Sequence, residues 1–288
     1  MANPRGYVLI ITLSVIWGMA FVAIKRADQE LTSNNLTLLR WLTVAAVFMV
    51  LYPFIVKPKA RLERKDVPRL LVVALASVDI YHLSLNAAEK VVNASLAGLL
   101  ISLSPLTTVV LSALLLHERV RSRAKLGVAV AVVGAVVISI PDLSFTAGAG
   151  PLLVVVAALA SGTYTVLSKP LVVKYGPFAI AAWTAFLGTA ILLPLASPGL
   201  LSQAEALSPE GWASVMYLAL LSTVVANVIF YTLVNRQALS KLGLQLYLVP
   251  LVSAAGGVLI LGESLGLATV VGGALLLGAV ALGTSGTR

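Results

Sequence analysis

The sequence predicts an all-α integral membrane protein of ten transmembrane helices, built from two inverted five-helix repeats, with both termini cytoplasmic. Three observations predict it: the composition, the placement of lysine and arginine, and an internal similarity at an offset near 145 residues. Of 288 residues, 59% are hydrophobic and 11% charged, where a soluble domain carries about 25% charged residues. The mean hydropathy is +1.01. Such a chain cannot cover a soluble surface, so a soluble enzyme, a disordered chain and a coiled coil are excluded. The net charge of +9 lies in short basic clusters between apolar runs, the pattern of cytoplasmic loops rather than of a nucleic-acid face.

The apolar runs are taken in order. Span 1, Tyr7–Ile24, follows Arg5 and runs into Lys25-Arg26. It shows no small-residue cleavage site, so it reads as an uncleaved helix rather than a signal peptide. Span 2, Asn35–Val56, carries Arg40 near its start, and span 3, Val67–Ala88, carries most of the intramembrane polar residues. Val91–Leu116 contains Pro105, and Lys125–Ile140 closes the first half. The second half repeats the layout in Gly150–Ser168, Phe178–Ala196, Trp212–Asn235, Ser240–Leu261 and Leu265–Gly283. At about 20 residues per span, ten spans leave only short connections and no room for an extramembrane domain.

Placing the amino terminus inside puts Arg5, Lys57, Lys59, Arg61, Arg64, Lys65, Arg69, Arg119, Arg121, Arg123, Lys125, Lys169, Lys174, Arg236, Lys241 and Arg288 on inner segments. Outer segments hold Lys25, Arg26 and Lys90. That bias sets the orientation. The two repeats are read as residues 1–145 and 146–288. An offset of 145 pairs Leu116-His117-Glu118 with Leu261-Gly262-Glu263, Ser95 with Ser240, Gly98 with Gly243, Leu103 with Leu248, Pro105 with Pro250 and Gly127 with Gly272. An offset of 144 pairs Gly18 with Gly162 and Lys25 with Lys169. Five spans is an odd number, so the second copy enters from the opposite face. The loops it then places outside, 197–211 and 262–266, hold no lysine or arginine. Inverted repeats are the architecture of secondary transporters, whose halves rock about a central site.

Trp17-Gly18 with Phe21 in span 1, the early arginine of span 2 and the paired Pro-x12-Glu elements resemble the drug/metabolite transporter superfamily, EamA type. The resemblance covers essentially the whole chain. It implies ten helices with cytoplasmic ends and the export of amino acids or other small metabolites. Nucleotide-sugar, sugar-phosphate and cationic-drug carriers are its wider relatives.

Catalysis finds no support. There is no phosphate loop, no cysteine, and only His82 and His117, so neither ATP-driven chemistry nor a metal site is expected and no cofactor is invoked. Polar groups inside spans are costly and face bundle interiors. Asp79, His82 and Asn86 form one α-helical stripe; the offset of 145 places Asn227 and Tyr231 opposite His82 and Asn86, and Tyr247 opposite Ser102. With Trp17 and Tyr164 these residues are the expected substrate cavity, though Ser102 could instead bond its own helix and Tyr231 anchor at the interface. Asp79 is expected to pair with Arg40, or to carry a coupling proton or substrate amine with His82 beside it. Glu118 and Glu263 read as helix-end carboxylates holding loop amides, and Pro105 and Pro250 as kinks.

The expected function is a secondary transporter, an exporter, of small neutral or zwitterionic metabolites, amino acids first, acting by alternating access in the cytoplasmic membrane. Its partners are the small solute and bilayer lipid, not nucleic acid, and a monomer suffices. The alternatives are an uncoupled facilitator or channel, or a carrier of phosphorylated or nucleotide-sugar substrates.

Overall fold

The computed structural model describes residues 4–56, 62–116, 122–139, 149–236 and 248–284. The described residues form helices α1 (Pro4–Ala27), α2 (Ser33–Ile55), α3 (Arg64–Glu89), α4 (Ala94–Ile101), α5 (Ser104–Leu116) and α6 (Ser122–Ser139). They continue as α7 (Gly150–Tyr175), α8 (Pro177–Leu192), a short α9 (Leu200–Glu205), α10 (Pro209–Arg236), α11 (Leu248–Leu261) and α12 (Leu267–Thr284). Among the described residues there is no strand, and seven helical runs are long and apolar enough to cross a bilayer. The chain is a multi-pass membrane protein. Phe54, Leu259 and Leu267 are each at least 80% exposed, which suits a surface solvated by lipid tails rather than water.

Local chemistry sets the helix ends. The Thr32 hydroxyl accepts the Asn35 amide at the start of α2, and the Ser208 hydroxyl accepts the Gly211 amide at the start of α10. Gly176, with φ of 88°, turns the chain out of α7, and Pro177 opens α8 at once. Where a kink is expected at Pro105, the chain breaks instead. Pro105 has no N–H to offer Ile101, so the Ile101 carbonyl accepts the Ser104 hydroxyl at 2.8 Å, and two residues, Ser102 and Leu103, separate the end of α4 from the start of α5. Two further irregularities are π-helical: Leu75–Ile80 within α3 and Tyr217–Val225 within α10. Such wide turns shift the register of everything that follows.

The helices pack in matched pairs: α1 on α11 and α5 on α7, α2 on α10 and α3 on α8, with α2 against α8, α4 against α11 and α6 against α12. Glycines permit two of these crossings. A Cβ on Gly18 would lie 2.5 Å from the Cβ of Val252 in α11, and one on Gly162 would lie 2.1 Å from the Thr107 hydroxyl in α5. Small residues at such crossings let backbones approach without a hydrophobic driving force.

Candidate functional site: a central cavity

Those crossings leave a cavity of about 100 Å³ between α1, α2, α3, α4, α5, α7, α10 and α11. One water needs roughly 10–15 Å³ on this measure, so the space takes a small hydrated solute. Its wall is aromatic and hydroxylic. Trp17 donates its indole N–H to the Ser222 carbonyl at 3.2 Å and packs on Phe230, their centroids 5.2 Å apart. Tyr164 meets both Phe230 and Tyr81 edge-on. His82 sits edge-on to Trp41 and Tyr81, with Nδ1 3.2 Å from the Val78 carbonyl. A carbonyl only accepts, so Nδ1 holds the hydrogen in this bond.

Among the described residues one full charge reaches this wall. Arg40, 4% exposed, donates from Nε to the Thr223 hydroxyl at 2.8 Å and from Nη2 to the Ser222 hydroxyl at 3.4 Å. Thr223 in turn donates to the Leu218 carbonyl at 2.7 Å, five residues back, a bond that the π-helical turn of α10 makes available. Among the described residues no aspartate or glutamate lines the cavity.

The model of the EamA-like transporter family matches residues 4–140 and again residues 148–284. The chain belongs to that family. It is 32% identical to an uncharacterized transporter of Archaeoglobus fulgidus, over 95% of this chain and 96% of the other. It is also 32% identical to a protein of Streptantibioticus cattleyicolor named a probable terminal-alkyne amino-acid exporter, over 96% and 92%. An Escherichia coli protein named a probable amino-acid metabolite efflux pump is 25% identical over 100% and 97%. A solved crystal structure shares the fold at a TM-score of 0.69, with 21% identity over 100% of this chain and 99% of that one. Family and relatives are transporters, so this EamA-like chain is not an enzyme.

Of the residues singled out from the sequence, Trp17, Arg40, His82, Ser102, Tyr164, Asn227 and Tyr231 meet at the cavity of this EamA-like chain. Tyr231 is 2% exposed and so is no interfacial anchor, while Ser102 also bonds back to the Leu99 carbonyl at 2.5 Å. Tyr247 and Glu118 lie outside the described residues. Two residues are not where the stripe puts them. Asn86 is fully buried and donates to the Thr37 hydroxyl at 2.8 Å, away from the cavity wall. Asp79 is 4% exposed, and neither of its oxygens has a hydrogen-bond partner among the described residues.

The expected Asp79–Arg40 ion pair is therefore absent, as is a shared proton between Asp79 and His82, because Arg40 turns to α10 and His82 to its own backbone. The physical reason is the π-helical turn, which carries Asp79 off the face that α-helical spacing assigns to it. A further buried acid is Glu89: at the end of α3, it is 0% exposed with no hydrogen bond to its carboxylate among the described residues. Ser77, Tyr81, Ser222 and Thr223 line the cavity and were not anticipated. The offset of 145 that pairs Ser77 with Ser222 was the available signal.

The helix ends beyond Arg40 are tied by side chains. Lys25 donates to the carbonyls of Glu89 at 2.5 Å and Val92 at 2.9 Å, where carbonyls at a helix end lack partners. Lys90 donates to the carbonyls of Asp28 and Leu31 and stands 3.5 Å from the Asp28 carboxylate. Burial holds Asp28 up at about 6, against the pull of Lys90. Glu263 behaves as a helix-end carboxylate: it accepts the Ala94 amide at 2.8 Å, the Ser95 amide at 3.0 Å and the Ser95 hydroxyl at 2.6 Å, capping α4 from the loop after α11.

Proposed function

We propose that this protein is a secondary exporter of small neutral or zwitterionic metabolites, amino acids foremost, acting by alternating access in the cytoplasmic membrane. The observation that carries the reading is the matched packing around one cavity. Val252 lies 145 residues after Thr107, and Gly18 meets Val252 as Gly162 meets Thr107. The two π-helical stretches correspond by the same offset, as do Ser77 with Ser222 and His82 with Asn227 on the cavity wall. Two like halves about a single small site support ten spans in two inverted repeats meeting near residues 145 and 146, with both ends cytoplasmic. Two relatives named for amino-acid or amino-acid-metabolite export support the solute class.

In this reading Trp17, His82, Tyr164, Asn227 and Tyr231 bind the solute, and Ser102 and Ser104 mark the broken helix beside it. Asp79 and Asn86 are structural. The test is counterflow in proteoliposomes. Saturable exchange of radiolabelled leucine, accelerated by unlabelled leucine inside, is expected; flux linear in concentration without counterflow overturns the carrier reading in favour of a channel. Cysteines at Gly199 and Gly266 should react with impermeant thiol reagents in intact cells and one at Ser122 should not. Labelling at Ser122 overturns the orientation.

A further inference from the structure

Resting on the transporter reading, we propose that Arg40 is the anchor for a free carboxylate on the transported solute, so that the cargo is recognised as a carboxylic acid with an apolar or aromatic body rather than as an amine. A guanidinium offers five N–H donors in a planar fork. The protein uses one on Nε and one on Nη2, both on hydroxyls, and no other acceptor meets Arg40 among the described residues. None of the ion pairs seen at Lys65, Lys90 and Lys174 includes Arg40. A charge this buried in a bilayer protein is expensive unless something pairs with it, and the face it presents is the cavity.

The anchor is also built. Thr223 is committed as a donor to the Leu218 carbonyl, which leaves its lone pairs to the Arg40 Nε–H and fixes the plane of the fork. The break between α4 and α5 places the first turn of α5, Ser104 and Pro105, on the same cavity. The positive end of that helix dipole favours the same anion. Among the described residues an ammonium finds no acid on the wall, only hydroxyls, an amide and ring faces such as Trp17 and Tyr164. With one arginine among the described lining residues and a small volume, a monoanion fits where a phosphate dianion lacks its ligands. A planar carboxylate takes two parallel N–H bonds from the fork, and the rings cover the rest of the solute.

The experiment uses the full chain in proteoliposomes loaded for leucine counterflow, with three competitors: 4-methylpentanoate, which lacks the amine, leucinamide, and isopentylamine, which lacks the carboxylate. The expected result is competition by 4-methylpentanoate comparable to that of leucine, with leucinamide and isopentylamine at least tenfold weaker. Arg40→Gln should erase the distinction and Arg40→Lys should keep part of it. Should Arg40→Gln fail to fold, Thr223→Val leaves the charge in place and should narrow the preference about tenfold. An amide and an amine that compete as well as leucine overturn the anchor while leaving amino-acid transport intact. If leucine itself shows no counterflow, the amino-acid reading falls instead. The carboxylate is then decided by thermal shift with 4-methylpentanoate: stabilisation of wild type but not of Arg40→Gln supports the anchor, and equal or no stabilisation of both overturns it.

Discussion

The cavity faces of α3 and α10 are equivalent in placement and unequal in chemistry. Each contributes a serine from its π-helical stretch, Ser77 and Ser222, and a polar residue five positions on, His82 and Asn227. One position after each serine they part. Thr223 holds Arg40, whereas Val78 packs against Gly188 of α8. The offset of 145 that leads from α2 to α8 places fully buried Ala185 where Arg40 stands in the first half. Among the described residues the cavity therefore has two similar walls but one charge, on one side. Matched packing is what a fold that exchanges two related shapes requires. A bound solute has no two-fold symmetry, so its recognition has to come from residues that break the match.

The largest expected effect follows from making α10 resemble α3. Thr223→Val removes a hydrogen bond to a charged group, worth about 1.5–3 kcal/mol, so leucine counterflow should fall roughly 10- to 100-fold. Ser77→Ala removes a hydroxyl that bonds its own helix at Val73 and should leave counterflow within about twofold. Equal losses in the two variants would mean that the walls are functionally alike and the asymmetry is incidental.

A second charge without a counterpart is Asp28, at the end of α1, where the offset of 144 leads to buried Val172. Its carboxyl is raised from 3.8 to about 6, chiefly by burial. Between these values the folded protein keeps a proton that the unfolded chain releases. Stability contributed by this group is thus fully present below pH 3.8 and is lost as the pH rises to about 6. At about 1.36 kcal/mol per unit the loss is about 3 kcal/mol. Melting in detergent should accordingly be higher at pH 4.5 than at pH 7.5. Asp28→Asn should flatten that difference and melt higher than wild type above pH 6; an unaltered profile would place the titrating group elsewhere.

The matched crossings should respond alike. Gly162→Ala and Gly18→Ala both press a methyl into a neighbouring helix, and overpacking of this kind costs about 1–3 kcal/mol. Detergent melting temperatures should fall in both, and a neutral result in one alone would show that the two crossings are not equivalent. The smallest effect belongs to Glu263→Gln. The amide keeps a single acceptor oxygen for two backbone amides and a hydroxyl, so a loss of roughly 0.5–2 kcal/mol is expected, as for other helix caps.

Much of the site was legible before any coordinates. Trp17, His82, Ser102, Tyr164, Asn227 and Tyr231 reach the cavity because polar and aromatic side chains in a bilayer have few other places to go. Asp79 was misplaced because a stripe drawn at 3.6 residues per turn takes the helix to be regular, and the turn at Leu75–Ile80 is not; Asn86 was misplaced because Thr37 of α2 takes its side chain. Arg40 was read as the partner of Asp79 because two opposite charges inside a membrane invite pairing. Thr223, an inconspicuous hydroxyl in an apolar run, carried no sign that it would hold a guanidinium.

By itself the sequence determined that this chain is helical, lies in a membrane and carries polar and aromatic residues inside its apolar runs. Apolar length, loop charge and spaced glycines and prolines are properties of the chain taken in order, and the bilayer acts on them segment by segment. Only the tertiary structure decided which polar groups face one another. That depends on helix rotation and crossing, which are set jointly by π-helical turns, glycine contacts and the break at Ser102-Leu103. A rotation of one residue, about 100° on an α-helix, is enough to move a side chain from the cavity to a packed interface.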